Sequence, residues 1–182
     1  MGEIDIFKPV MDNDEEILRI YRPDRVRAYF GTIMVCLLMC ICFIPIIIAA
    51  FVAPELESDI GMAIGCIVFL VVFIVLSILM IALWCNKTIY AVTNKRILIR
   101  TGYIGVDYKS LNYDTVGALT VNVNWVDKLI HRNTGTLSFG SMASPMINNA
   151  NYRFSFLYIK APYEVYKDLK NLIDSKKDTE TK

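Results

Sequence analysis

AYFGTIMVCLLMCICFIPIIIAAFVAP, residues 28–54, and IGMAIGCIVFLVVFIVLSILMIALWCN, residues 60–86, are two runs of 27 residues without one charged side chain. A helix needs about 20 mostly apolar residues to cross a hydrocarbon core of roughly 30 Å. Both runs exceed that length. The turn between them, Glu55-Leu56-Glu57-Ser58-Asp59, is too short for a folded domain. Residues 28–86 therefore read as a transmembrane helical hairpin with spans near 29–52 and 61–84.

Working outward, the flanks set the orientation, because Lys and Arg near helix ends accumulate on the cytoplasmic side. Arg19, Arg22, Arg25 and Arg27 precede the first span, and Lys87, Lys95, Arg96 and Arg100 follow the second; the turn has no basic residue. Both termini are expected in the cytoplasm. Tyr29, Phe30 and Trp84 fall at the two helix ends that share that interface, where aromatic residues collect. A signal peptide has an apolar region of only about 7–15 residues, so the first run is read as a retained span.

The formal charge of +1 hides an uneven distribution. Residues 1–29 carry 5 basic and 7 acidic side chains, the turn 3 acidic ones, and residues 85–182 carry 14 basic and 8 acidic. The part after the hairpin is the basic part, as positive-inside topology alone requires; a basic domain is also drawn to an anionic leaflet. No Asp, Glu, Lys, Arg or His lies inside either apolar run, which argues against a proton relay or ion path. Cys36, Cys40, Cys42, Cys66 and Cys85 all lie in or at the end of the spans, where a thiol packs as a small hydrophobe. No metal site or disulfide framework is expected. Pro45 removes a backbone donor inside the first span, and Gly61 with Gly65 gives the second a small-xxx-small face.

Residues 1–27 are expected as a cytoplasmic N-terminal segment. Its first ten residues read as unstructured, and Asp14–Tyr21 reads as a short amphipathic helix with Ile17, Leu18 and Tyr21 on one face, stopped by Pro23. Beyond Asn86 the apolar period changes to that of strands. Runs 88–93 and 96–101 flank a turn at Asn94-Lys95, with Gly102 permitting a sharp change of direction. Further strands are predicted at 103–108, 109–111, 116–123 and 136–142, and at 152–160, where Tyr152, Phe154, Phe156 and Tyr158 alternate. Trp125–His131 breaks the pattern as one helical turn. Pro162 opens a helix whose apolar face is Val165, Tyr166, Leu169, Leu172 and Ile173. The chain thus reads as a two-helix membrane hairpin followed at 87–174 by a mainly-β meander of about six or seven strands and one C-terminal helix that covers an open end or seam of the sheet, with a charged, disordered tail at 175–182.

These residues resemble the bacterial pleckstrin-homology-like domain of membrane proteins, a family long catalogued as a domain of unknown function. The carriers are Tyr90-Ala91-Val92-Thr93-Asn94-Lys95-Arg96-Ile97-Leu98-Ile99 with Gly102, then Leu137-Ser138-Phe139 after Gly135, and Ile159–Pro162 entering the last helix. Two preceding spans and the Arg22-Pro23 lead-in match its layout. The resemblance covers about residues 15–173 and implies a bent antiparallel barrel or sandwich with one capping helix, in a bacterial plasma membrane. The chain departs from it at Ile130-His131-Arg132-Asn133-Thr134, where the family often has a small Gly-containing apolar turn. The Lys95, Arg96 and Arg100 group is only superficially similar to the basic cluster of phosphoinositide-binding relatives, and fold does not carry function across that distance.

Three function classes follow. The first is a non-catalytic interaction or scaffold module, a subunit of a homo- or hetero-oligomeric membrane assembly. A partner would meet it at an open sheet edge or through exposed aromatics among Tyr103, Tyr108, Trp125 and Tyr152. The alternative is recognition of anionic lipid headgroups by Lys87, Lys95, Arg96, Arg100 and Lys109. Arg96 and Arg100 share one strand face, placed either to clasp a phosphate or as a solvated outer face. An enzyme is the third: the one histidine, His131, has no base and orienter arranged around it, and no phosphate-cradling glycine motif precedes a helix. No catalytic residue, cofactor, metal, nucleic acid or small-molecule substrate is expected; membrane lipids and a protein partner or second copy are.

Overall fold

The computed structural model describes residues 5–52, 57–141 and 154–180. Helices α1 (Arg25–Val52) and α2 (Glu57–Lys87) are long and apolar enough to cross a membrane, and neither is buried by the rest of the chain along its apolar window. In hydrocarbon a helix satisfies every backbone group within its own segment. On α2 the buried positions Ala63, Leu70 and Trp84 recur at multiples of seven, a coiled-coil-like seam toward α1. Phe43 and Phe69 meet across it at 5.8 Å. Gly61 and Gly65 do not belong to this seam, since a side chain added at either would meet nothing within 4 Å.

Among the described residues, seven strands form two antiparallel sheets in the orders β1-β2-β3-β4 and β5-β6-β7. The strands are β1 (Ile17–Tyr21), β2 (Ile89–Thr93), β3 (Arg96–Thr101), β4 (Asp107–Asn112), β5 (Val116–Asn122), β6 (Thr134–Ser141) and β7 (Ser155–Lys160). A one-turn helix α3 (Trp125–Leu129) joins β5 to β6, and α4 (Pro162–Glu180) closes the chain. The core lies between the sheets: Tyr90, Val92, Ile97 and Ile99 from the first, Leu137, Phe139, Phe156 and Ile159 from the second, and Val165, Leu169 and Ile173 from α4. Tyr90 stacks on Phe156 at 4.6 Å, and its hydroxyl accepts the Leu157 N–H at 2.9 Å, tying the sheets together.

The predicted helix at Asp14–Tyr21 is instead strand β1, hydrogen-bonded to β2 with Ile20 opposite Ala91 and Tyr21 opposite Tyr90. A helix of eight residues is marginal on its own, whereas Ile-Leu-Arg-Ile-Tyr suits a strand that finds a ready edge. The first ten residues are not unstructured throughout, for Phe7 is fully buried and Lys8–Val10 makes a 3-10 turn. Strand β2 is buried along its whole length. Tyr90 and Val92 face the core, while Ile89 and Ala91, with Leu98 of β3, face a second cluster completed by Phe7, Ile6, Val10, Met11 and Ile17. The N-terminal segment is therefore the outer cover of the first sheet.

Because β1 precedes the hairpin and its partner β2 follows it, both ends of the hairpin lie on the same side. The predicted strands at 103–108 and 109–111 are one strand, β4, preceded by the turn 102–106. The tail predicted as disordered from 175 continues α4 to Glu180, with Lys177 Nζ donating to the Val116 carbonyl at 2.7 Å. The aromatic alternation holds at Phe156 and fails after it. Gly135 pairs with Ile159 and Leu137 with Phe156, so β7 holds one extra residue, and Tyr158 takes φ 55°. This bulge switches the parity: Ile159 enters the core and Tyr158 turns toward the helices. Tyr152 and the loop before it lie outside the described residues.

Candidate functional site

The seam between hairpin and sheets gathers four charged side chains. Asp24, following Pro23, is the N-cap of α1: its Oδ1 accepts the N–H of Val26 at 2.9 Å and of Arg27 at 3.3 Å, as short acidic caps do. Its other oxygen, Oδ2, accepts Arg132 Nε at 3.1 Å and Nη2 at 2.9 Å. Its own N–H donates to the Tyr158 carbonyl at 2.7 Å. One turn into α1, Arg27 Nε donates to Asp127 Oδ1 at 2.5 Å, with the two side chains 6% and 3% exposed. The Arg27 guanidinium also lies 4.9 Å from the centre of the Tyr158 ring, a cation–π contact.

Asp127 is fully engaged. Thr134 Oγ1 donates to Oδ1 at 2.7 Å, and the Asn124 N–H to Oδ2 at 3.1 Å, the latter half of a capping box that starts α3. Beside the pair, Trp84 of α2 meets Tyr158 edge-on at 6.0 Å, within a cluster of Ala28, Trp84, Cys85, Ile81 and Leu157. Cys85 is buried there, packed as the sequence suggests. His131, Tyr158 and Ala161 hold positive φ of 52°, 55° and 48°, strain of about 1–3 kcal/mol each that persists only where the surroundings dictate it. A cleft of about 380 Å³ opens at the seam, lined by Asp24, Arg132, Asn133, Thr134, Lys160 and Ala161.

The five basic candidates do not converge. β2 leaves α2 after only Thr88 and β3 returns antiparallel, so the Asn94-Lys95 turn is the far end of the hairpin. Five strand residues at about 3.3 Å each put it roughly 17 Å from the helix end. Arg96 is taken: Nη2 donates to Glu15 Oε2 at 2.8 Å and to the Val10 carbonyl at 3.0 Å. Arg100, four residues or about 13 Å along the strand, is at the near end with its Nε shielded and without a hydrogen-bond partner among the described residues. Lys87 Nζ donates to the Ile104 carbonyl at 2.5 Å, and Lys109 is half-buried opposite Ile99. Arg96, held by Glu15 at the far end, and Arg100 at the near end are not gathered on one site.

Glu15, unremarked in sequence, anchors the N-terminal cover. Its side chain is fully buried and accepts from Arg96 and from Thr93 Oγ1 at 2.6 Å. Burial alone would raise its pKa; the bonds from Arg96, Thr93 and the Asp12 N–H outweigh that and hold it at about 2. Of the aromatic candidates, Tyr103 is 48% and Trp125 68% exposed. Tyr108 meets Phe7 edge-on at 6.2 Å and donates to the Ile6 carbonyl at 3.0 Å.

The seam residues were readable as local signals only: Pro23-Asp24 before a long helix is a capping signature, and Asn124-x-x-Asp127 reads as a capping box. That Arg27 pairs with Asp127 across 100 positions had no sequence signal.

The sequence pattern described as the Bacterial PH domain matches residues 43–173, well over half of the chain. The chain belongs to the bacterial PH domain family. In this bacterial PH domain protein the match begins inside α1 and ends at Ile173, the last core residue of α4. No curated protein matches the chain. The crystal structure of a DUF1696 family protein with a pleckstrin-homology domain from Shewanella loihica PV-4 is similar at 10% identity and a TM-score of 0.42, over 93% of this chain and 91% of that one. The fold is two long apolar helices, a PH-like pair of antiparallel sheets and a C-terminal helix.

Proposed function

We propose that this protein is a membrane-anchored, non-catalytic interaction module, a subunit of a homo- or hetero-oligomeric assembly, with both termini on the cytoplasmic side of a bacterial plasma membrane. The observation that carries the reading is the seam. A flexible anchor needs only a linker, whereas here Asp24–Arg132 and Arg27–Asp127 fasten the first span to the sheets at two points. A buried pair of this kind contributes orientation more than net stability. A rigidly oriented domain serves a partner that must meet helices and sheets in one register. β4 and β5 each pair on one side only, leaving edges for strand addition, and the Gly61/Gly65 face of α2 is open for a second helix.

Native mass spectrometry of the full chain released from its own lipids tests this. Ions of two or more 20.7 kDa chains, or of one chain with a second protein, are expected; bare monomer under every release condition would overturn the reading. One observation favours a second reading, headgroup contact limited to the membrane-proximal end: the unpaired Arg100 Nε near Lys87. Arg100→Glu would then lower retention of anionic lipid while Lys95→Glu, at the far turn, would not.

A further inference from the structure

Among the described residues, exposed large apolar side chains of the domain fall close together in two places, whereas Leu18 of β1 and Tyr163 of α4 stand singly. One is the turn after β3, with Tyr103 48%, Ile104 83% and Val106 38% exposed; the other is α3, with Trp125 68% and Leu129 57% exposed. Each patch is fastened to the end of one long helix. Lys87, the last residue of α2, bonds the Ile104 carbonyl, and Asp127 of α3 bonds Arg27 in the first turn of α1. The turn is shaped to stand there: Gly102 adopts φ 155°, and a side chain on it would approach the Gly105 carbonyl oxygen to 2.2 Å.

We propose that these two patches are wedges seated in the interface of the bilayer that the hairpin spans, one beside each helix. The occupant is the headgroup–acyl boundary of ordinary phospholipid, with no headgroup selectivity. Three physical arguments support lipid over water. Both patches are bonded to the helix ends where the apolar windows stop, the turn through Ile104 to Lys87 of α2 and α3 through Asp127 to Arg27 of α1, with Trp84 and Tyr29 close by in sequence. Trp and Tyr concentrate at that boundary because ring and polar tip are each satisfied there. Apolar surface so covered leaves water favourably in proportion to its area, and both elements present aliphatic side chains beside the aromatic one. With the spans, these wedges give the domain four points on one plane, which fixes its tilt. The inference rests on the reading of the helices as membrane spans.

The test uses the full chain in zwitterionic phosphatidylcholine vesicles whose acyl chains carry bromine, a contact quencher of tryptophan. Trp84→Phe leaves Trp125 as the sole tryptophan; Ile104→Trp in a Trp84→Phe, Trp125→Phe background reports the turn; Phe69→Trp in the same background reports the hairpin. Quenching of Trp125 and of the Ile104→Trp reporter by shallow bromines, with deep quenching of the Phe69→Trp reporter, is the expected result. Hairpin quenching without quenching at the other two overturns the wedges alone, and failure of all three overturns the spans as well. Quenching that appears only with anionic lipid would replace the wedges by charge-led docking. A blue-shifted emission unaltered by bromine would mean that a protein covers the patches, and would also overturn the proposal. The unmutated chain guards against misfolded variants: aqueous iodide is expected to reach neither of its two tryptophans in vesicles, and loss of emission to iodide counts against the wedge at Trp125.

Discussion

Replacing Glu15 by Gln releases the N-terminal cover, and the size of the effect follows from its proton affinity. The folded chain carries the Glu15 pKa from 4.5 down to about 2. At about 1.4 kcal/mol per tenfold change, this corresponds to about 3 kcal/mol of preference for the ionised, bonded form. The bonds themselves agree, since a hydrogen bond to a charged group contributes about 1.5–3 kcal/mol. Because the folded value lies below the unfolded one, this stabilisation is complete above pH 4.5 and is lost as the pH falls from there through about 2. Hydrogen exchange reads the opening directly at the amides of Asp12, Glu15 and Asn94, which bond to Glu15 Oε2, the Asp12 carbonyl and the Glu16 carbonyl. At neutral pH, Glu15→Gln is expected to lower their protection roughly a hundredfold, while amides in β6 keep theirs. In thermal unfolding between pH 5 and 2, wild type converges on the variant. Equal protection in the two proteins, or parallel pH profiles, would refute the assignment of Glu15 as the anchor.

Two further perturbations probe the seam and the turn. Asp127→Ala strands Arg27 together with the Thr134 hydroxyl and the Asn124 N–H, and is expected to destabilise by about 3–5 kcal/mol in detergent denaturation. Arg27→Met combined with Asp127→Leu should recover much of that loss. Gly102→Ala forces a Cβ against the Gly105 carbonyl and should destabilise by about 1–3 kcal/mol; an unchanged unfolding midpoint would show that the turn relaxes freely.

Legibility in the sequence followed the length of each pattern. The two apolar runs, the β2–β3 hairpin and the start of α4 at Pro162 all carry repeats long enough to decide their period, and the structure places them where the pattern does. β1 was hidden because Ile17, Leu18 and Tyr21 satisfy helical spacing over a single turn, and only the edge of β2 decides otherwise. A clue existed: Ile89-Tyr90-Ala91-Val92 is apolar without alternation, the mark of a strand covered on both faces, and the cover had to come from somewhere. Strand parity places Arg96 and Arg100 on one face but says nothing of Glu15, which lies 81 positions from Arg96 and bonds it. The end of α4 escaped because Ser175 to Glu180 lacks apolar residues; Lys177 holds it to the Val116 carbonyl.

The position of β1 also bears on biosynthesis. Residues 17–21 leave the ribosome first, yet their partner, residues 89–93, is made only after both helices. At synthesis rates of roughly 5–20 residues per second the first strand waits on the order of 4 to 15 seconds. If α1 and α2 span a membrane, the two strands meet only when both ends of the hairpin are on one face. With only one of the two helices inserted, Asp24 and Arg27 would be left on the face opposite Arg132 and Asp127. Closing the first sheet would then distinguish the finished hairpin from a chain with one helix left out, whose first strand stays unpaired.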